Sequence, residues 1–287
     1  MATGRIDVPE LAVRTGDGLG LVGRSWLPAE TPRGTVLVVH GLKDHSARYA
    51  ELAGVLLERS FAVYAIDLRG HGRSEGPRAW VERFDLYLQD LDLVVAEVRR
   101  RQPTGPLFLL GHSMGGAIST LYALEHPAGV SGLVLSAAAL RRPRSVSAGA
   151  ASFTKFLSVV APHAGVFRLP NSDFSRDPAV VAAMDRDPLI YQRPAPARTA
   201  GELLKAMDRI RLRSPELSLP ILALHGSADR LTHPDGSRDL VENVRSKDKT
   251  LRIYAGLYHD LLHEPERERI RADIVGWLKV HARRDSA

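Results

Sequence analysis

The chain has 287 residues, 44% of them hydrophobic and 25% charged, the balance of a soluble globular protein built as one large domain or a domain with an insertion. It contains no cysteine, which excludes disulfides, thiolate metal sites and a cysteine nucleophile, and no apolar run of the roughly eighteen residues that a membrane span needs. The net charge of +6 comes mostly from arginines scattered among Asp and Glu. The one local cluster, Arg141-Arg142-Pro143-Arg144, has no interleaved aromatics, so nucleic acid is not an expected partner, while a weak attraction to anionic lipid surfaces is. The opening stretch from Met1 to Glu10 lacks the apolar core of a signal peptide, and a cytoplasmic location is expected.

In chain order, Leu11 to Val13 and Leu19 to Trp26 flank Asp17-Gly18 and predict a hairpin. Thr35 to Val39 reads as a buried strand that ends in His40-Gly41-Leu42-Lys43-Asp44-His45-Ser46. Leu52, Ala53, Leu56 and Leu57 mark a helix. Phe61 to Ile66 is a strand ending in Asp67-Leu68-Arg69-Gly70-His71-Gly72, which reads as a structural turn. Phe84, Leu88, Leu91, Val95 and Val98 give a longer helix. Leu107 to Leu110 and Gly132 to Leu135 are strands with a helix between them. Strand and helix alternate with short connections, which means a mostly parallel sheet covered on both faces. From about Ala139 to about Pro215 no strand is expected. Phe153, Phe156, Leu157 and Val160 have helical spacing there, as do Val180, Val181 and Met184, and Leu203, Met207 and Ile210. Residues 139–215 therefore read as a helical cap inserted into a core of residues 1–138 and 216–287. Alternation resumes with strands at Ile221 to Leu224 and Thr250 to Tyr254, and Ile270, Ile274, Trp277 and Leu278 form a closing helix.

The chemistry centres on Gly111-His112-Ser113-Met114-Gly115, which lies between a strand and a helix. That context turns G-x-S-x-G into a nucleophile elbow, with the hydroxyl lifted out of the sheet at a helix N-terminus. A serine needs a base to take its proton and an acid to orient the base. Both should lie beyond the carboxyl ends of strands. Asp229 follows Leu224 and His259 follows Tyr254, and the order Ser, Asp, His is that of the α/β-hydrolase fold. Of the other histidines, His40 and His225 each precede a Gly at a strand end and read as loop braces. His112 is expected to point away from the nucleophile. Two backbone amides should receive the oxyanion, those of Met114 and, from the loop after Val39, Leu42. No metal site or cofactor motif is indicated, and none is required by this chemistry.

Several segments together resemble the monoacylglycerol lipases and their lysophospholipase and serine aminopeptidase relatives. They are Leu37-Val-Val-His-Gly-Leu-Lys-Asp-His-Ser-Ala-Arg-Tyr49, Asp67-Leu-Arg-Gly-His-Gly-Arg-Ser74, Gly111-His-Ser-Met-Gly-Gly116, His225-Gly-Ser-Ala-Asp229 and Tyr258-His259. The resemblance implies hydrolysis of a single-chain glycerol ester to fatty acid and glycerol. The family often has Gly-Glu where this chain has Lys43-Asp44, so Asp44 and Arg48 are candidates to order the glycerol end, with mutual pairing as the alternative. Asp187-Pro-Leu-Ile-Tyr191 matches the cap of that family and adds Tyr191 to the candidate contacts. Phe153, Phe156, Leu157 and Val160 are candidates for an acyl tunnel or a lid that meets a lipid surface, with plain cap packing as the alternative.

The function expected is therefore a serine esterase acting on monoacylglycerols, with peripheral lipid-surface contact through the cap. Lysophospholipase or general carboxylesterase activity is the nearest alternative. A serine amidase would need carboxylates in the cap to bind an amine, and Asp173, Asp177, Asp185, Asp187 and Glu202 are available in sequence. A binding protein of the same fold would not need the complete set of triad residues. Epoxide and haloalkane hydrolases carry Asp where this chain has Ser113.

Overall fold

Strands that are apolar throughout can be stable only if both faces are covered, and the tertiary structure supplies the cover. In chain order the elements are β1 (Glu10–Arg14), β2 (Gly20–Trp26), β3 (Gly34–Val39), α1 (Ala50–Leu57), β4 (Phe61–Ile66), α2 (Asp85–Arg101), β5 (Leu107–His112), α3 (Met114–Glu125) and β6 (Gly132–Ser136). They continue with α4 (Ala148–Val160), β7 (Gly165–Phe167), α5 (Pro178–Arg186), β8 (Ala195–Pro196), α6 (Ala197–Arg213), β9 (Ile221–Gly226), α7 (Pro234–Asn243), β10 (Lys249–Tyr254) and α8 (Arg267–His281). The structure, a computed structural model, describes residues 10–143 and 145–282. The first nine residues, which carry most of the argument against a leader, and Arg144 of the basic cluster lie outside the described residues.

Eight strands form one sheet in the order β1-β2-β4-β3-β5-β6-β9-β10. β1 and β2 run antiparallel at one edge, and from β4 onward the pairs are parallel. Alternate residues of the central strands go to opposite sides, as the period of two requires. Val36, Val38, Phe108, Leu110, Leu222 and Leu224 meet α1 and α8 through Leu52, Leu56, Ile270 and Ile274. Leu37, Val39, Leu107, Leu109 and Ala223 meet α2, α3 and α7 through Leu91, Val98, Ile118, Leu121 and Leu240. This is the α/β-hydrolase architecture. Because β3, β5, β6, β9 and β10 are parallel, the loops that follow them share one edge of the sheet, and that edge carries the site.

Between β6 and its neighbour β9 the chain leaves the sheet and forms α4 to α6. No strand is expected there, yet Gly165–Phe167 and Ala195–Pro196 pair as a short antiparallel ribbon. With so few paired residues, no period of two has room to show in sequence. Helix α7 likewise carries little signal, since its buried face is mostly Gly236, Ser237 and Leu240. Among the described residues no helix is long and apolar enough to cross a membrane.

Candidate active site

Ser113 occupies the turn between β5 and α3 with φ 54° and ψ −121°, a sparsely populated conformation for a residue with a side chain. The surroundings hold it there. Its amide donates to the Ser136 carbonyl at 3.0 Å, and its carbonyl accepts from Gly116 at 2.9 Å and Ala139 at 2.9 Å. The flanking glycines are needed for space. A Cβ on Gly111 would come within 2.6 Å of the Gly115 carbonyl oxygen, and one on Gly115 within 2.0 Å of the Val39 oxygen. The elbow is therefore wedged against β3, beside the loop that carries Leu42.

His259, in the loop after β10, donates from Nδ1 to Asp229 Oδ2 at 2.8 Å, and both side chains are buried. Asp229 follows β9. Its Oδ1 accepts the amides of Leu231 at 2.8 Å and Thr232 at 3.0 Å, which fixes the carboxylate plane. Burial alone would raise the Asp229 carboxyl; His259 and the hydrogen bonds from His225 and His259 outweigh it and hold it well below the usual carboxylate range. Asp229 is thus ionised in neutral solution. Phe174 from the insertion packs edge-on against the His259 ring at 5.4 Å. The structure brings Ser113, His259, Leu42 and Met114 onto one cavity. Among the described residues, neither the Leu42 nor the Met114 amide donates to a backbone carbonyl, so both are available to a ligand oxygen.

The other histidines divide. His40 accepts the Leu68 amide on Nε2 at 2.9 Å and is the expected brace. His112 does not point away from the site. Its ring lies 4.8 Å from that of His259, and Nδ1 donates to the Ser136 carbonyl at 3.1 Å. Burial, with His259 beside it, pushes the His112 imidazole down to about 4, so it supports His259 as a neutral ring. His225 turns inward to Asp229, with Nε2 at 3.1 Å from Oδ2.

The rest of the cavity is mostly apolar. Val146, Phe167, Leu169, Ala200, Leu203, Leu204 and Met207 line it, and among the described residues Arg168 and Arg230 are its arginines, with Ser145 and Thr232 as further polar lining. Most of these come from β7, α6 and the loops beside them. The residues expected to contact an acyl chain stand elsewhere. Phe153, Phe156 and Val160 are 58% exposed on the outer face of α4, Leu157 is half-buried, and none of them lines the cavity. The inner face of α4 is Ala151, Thr154 and Ser158. Small residues are required there because α4 and α6 pack closely: a Cβ on Gly201 would sit 2.6 Å from Ser158 Cβ. Helical spacing identified an apolar face but not that it faces outward. Tyr191 packs on the main core beside the Lys43 loop and is also outside the cavity.

Asp44 and Arg48 are likewise outside it. They form the alternative arrangement, a buried pair at 3.0 Å. Arg48 also meets Asp260 at 2.6 Å, Tyr49 donates its hydroxyl to Asp44 at 3.0 Å, and His263 bridges Asp260 and the Arg48 carbonyl at 2.8 and 2.9 Å. The cap carboxylates are committed too. Asp185 accepts from Asn171 and Asp187 meets His45, Asp177 caps α5, Glu202 accepts the Phe84 amide, and Asp173 faces Arg230. None lines the cavity that holds Ser113. Among the described residues no group of three or more His, Cys, Asp or Glu is placed to hold a metal ion.

Sheet, elbow and buried Asp-His pair place the chain in the class of α/β-hydrolases. Residues 30–266 match the family model described as serine aminopeptidase, S33. The chain is 37% identical over 264 residues to a monoacylglycerol lipase of Mycolicibacterium smegmatis, covering 92% of this chain and 94% of that protein. It is 39% identical over 259 residues to the monoglyceride lipase of Homo sapiens, covering 90% and 84%. The crystal structure of Paleococcus ferrophilus monoacylglycerol lipase superposes with a TM-score of 0.80 at 30% identity, over 96% of this chain and all of that one. The chain belongs to this family and is a carboxylic ester hydrolase of the monoacylglycerol lipase type.

Proposed function

We propose that the protein hydrolyses monoacylglycerols to fatty acid and glycerol. Ser113 Oγ attacks the ester carbonyl carbon while His259 Nε2 takes its proton. Asp229, on the far side of the ring, holds the tautomer that leaves Nε2 free to do so and stabilises the imidazolium that forms. The Leu42 and Met114 amides receive the oxyanion, and their worth lies in being aimed before charge develops. The tetrahedral adduct collapses, the glycerol oxygen leaves with the proton from His259, and an acyl-Ser113 ester remains. Water then gives its proton to His259, attacks the acyl carbon, and releases the fatty acid as the proton returns to Ser113.

The observation that carries the substrate reading is the lining. A cavity lined mostly by apolar side chains beyond Ser113 suits an acyl chain, each buried CH₂ contributing about 0.8 kcal/mol. The same lining disfavours an amidase, because the carboxylates it would use for an amine are paired elsewhere. Residues 139–215 act as a cap on the core of 1–138 and 216–287, with α6 as the wall of the acyl site. Phe153, Phe156, Val159 and Val160 then form an outward apolar patch suited to peripheral contact with a lipid surface.

The test is glycerol release from mono-, di- and triacylglycerol, together with fatty-acid release from lysophosphatidylcholine, for wild type and Ser113→Ala. Release from monoacylglycerol alone, abolished by Ser113→Ala, is expected. Activity confined to lysophosphatidylcholine would keep the mechanism and replace the substrate.

A further inference from the structure

Behind the Asp229–His259 pair lies a second imidazole. His225 is fully buried on β9, in register with Ile253 of β10. Its Nε2 is 3.1 Å from Asp229 Oδ2, the oxygen that also accepts from His259. Its Nδ1 is 2.8 Å from the hydroxyl of Ser237, itself fully buried in α7. An ionised carboxylate can only accept, so the Nε2 that faces it carries a proton, with Asp229 Oδ2 at 3.1 Å and Thr232 Oγ1 at 3.2 Å as its two acceptors, and in the neutral ring Nδ1 accepts from Ser237. Thr232 Oγ1 lies 2.8 Å from Asp229 Oδ2 and 3.0 Å from the Ala137 carbonyl, with His225 Nε2 at 3.2 Å and His259 Nδ1 at 3.3 Å, and its single proton can serve only one of the two oxygens. Besides His259, His225 is therefore the ring that can serve this oxygen only as a donor.

We infer that His225, braced by Ser237, is a positioning residue of the hydrolytic reaction, acting through Asp229 on His259. The inference rests on the triad proposed above. Two consequences follow from the geometry. A ring held on β9 adds a hold on Oδ2 to the hold of the Leu231 and Thr232 amides on Oδ1, and so steadies the oxygen that faces His259 and the plane of the His259 ring. A second donor on Oδ2 also draws negative charge away from the bond to His259, which moderates how strongly Asp229 holds the imidazolium. A ring that merely filled core volume would do neither.

The experiment measures kcat and KM against pH for wild type, His225→Leu, His225→Gln, Ser237→Ala and Ser113→Ala. The substrates are 1-monooleoylglycerol and p-nitrophenyl butyrate. His225→Leu should lower kcat roughly ten- to a hundredfold, the range for a hydrogen bond to a charged acceptor, with KM little changed. Its acid limb should move to higher pH by about half a unit, because Asp229 then holds the imidazolium more tightly. His225→Gln, whose amide can donate to the same oxygen, should recover most of the loss. Ser237→Ala should move both quantities the same way by less, since the ring loses its brace. Wild-type kcat and acid limb in a folded His225→Leu overturn the inference, as does a Gln variant no better than the Leu variant. If His225→Leu does not fold, Ser237→Ala decides: a lowered kcat with a raised acid limb supports the inference, and an unchanged profile overturns it. Full activity in Ser113→Ala overturns the triad and this inference with it. Loss in Ser113→Ala with a wild-type His225→Leu overturns this inference alone. Activity on the nitrophenyl ester without activity on the monoacylglycerol removes only the substrate reading, and the His225 comparison then stands on the nitrophenyl ester.

Discussion

The ammonium of Lys43 donates to Asn171 Oδ1 at 2.7 Å and to the Leu169 carbonyl at 3.0 Å. The donor sits beside Leu42 in the loop after β3, and the acceptors belong to the insertion. The Tyr191 amide meets the Lys43 carbonyl at 3.3 Å, and His45 Nε2 lies 2.9 Å from Asp187 Oδ2. The loop that presents a candidate oxyanion amide is thereby tied to the segment that walls the cavity. Lys43 has φ 64°, a left-handed conformation that favours glycine, so these bonds are held against a local backbone cost.

Burial, reinforced by Arg48 and only partly offset by Asp185 and Asp44, pushes the Lys43 ammonium down to about 8 from an ordinary 10.5. Between those values the unfolded chain binds more protons than the folded one, so the contribution of this group to stability rises with pH. Lys43→Met removes it. Thermal unfolding of both proteins should show the Tm of wild type gaining on that of the variant from about pH 8 to about pH 10; a constant difference would contradict this.

Arg48 holds together a buried pair of carboxylates. Burial alone would raise Asp44 and Asp260, but Arg48, joined by His40 at Asp44 and His263 at Asp260, holds both below the carboxylate range. Their folded values are depressed, so the stability they contribute is present above the ordinary carboxylate value and is lost as pH falls below it. Arg48→Met should cost about 3–5 kcal/mol in urea unfolding at neutral pH, because two buried carboxylates lose their cation. The variant should also lose less than wild type on acidification.

Asp229→Asn keeps the size of the side chain and removes its charge. It should lower kcat by about 10⁴, as loss of the orienting acid does in serine hydrolases, with little change in KM. Circular dichroism indistinguishable from wild type separates this from unfolding.

The Phe153 and Phe156 rings lie 6.3 Å apart on the outer face of α4 and touch no part of the cavity. The double variant Phe153→Ser, Phe156→Ser should bind anionic phospholipid vesicles at least tenfold more weakly in a sedimentation assay, given about 1.5–3 kcal/mol for each large apolar side chain removed from water. Its kcat/KM for a soluble short-chain ester should match wild type. Equal vesicle binding by the two proteins would remove the lipid-surface role of this patch.

Leu204 lines the cavity from α6 and is 7% exposed. Leu204→Trp shortens the space available to an acyl chain. Rates on a monoacylglycerol length series should fall for long chains relative to short ones, by roughly fourfold for each CH₂ excluded. A uniform loss across the series would place the acyl chain elsewhere.

Much of this protein was legible in sequence for a definite reason. Strands covered on both faces carry apolar residues at every position, so Val36–Val39, Phe61–Ile66 and Leu107–Leu110 announce themselves without knowledge of their partners. The elbow is visible because backbone crowding demands glycine on both sides of Ser113. Asp229 and His259 are visible because a parallel sheet places its loops at one edge.

Other features are relations between distant segments, and only the tertiary structure decides them. Helical spacing in α4 gives an apolar face, but the close approach of Gly201 to Ser158 turns Phe153 and Phe156 outward and gives the cavity wall to Leu203, Leu204 and Met207. Asp44 and Arg48 look like substrate ligands until Asp260, 212 residues away in sequence, claims the guanidinium. His225 reads as a loop brace until α7 brings Ser237 to one ring nitrogen and Asp229 folds back to the other. Local pattern encodes burial and backbone shape, because both act within a few residues. The partner of a buried charge is chosen by whatever the whole fold carries to its side.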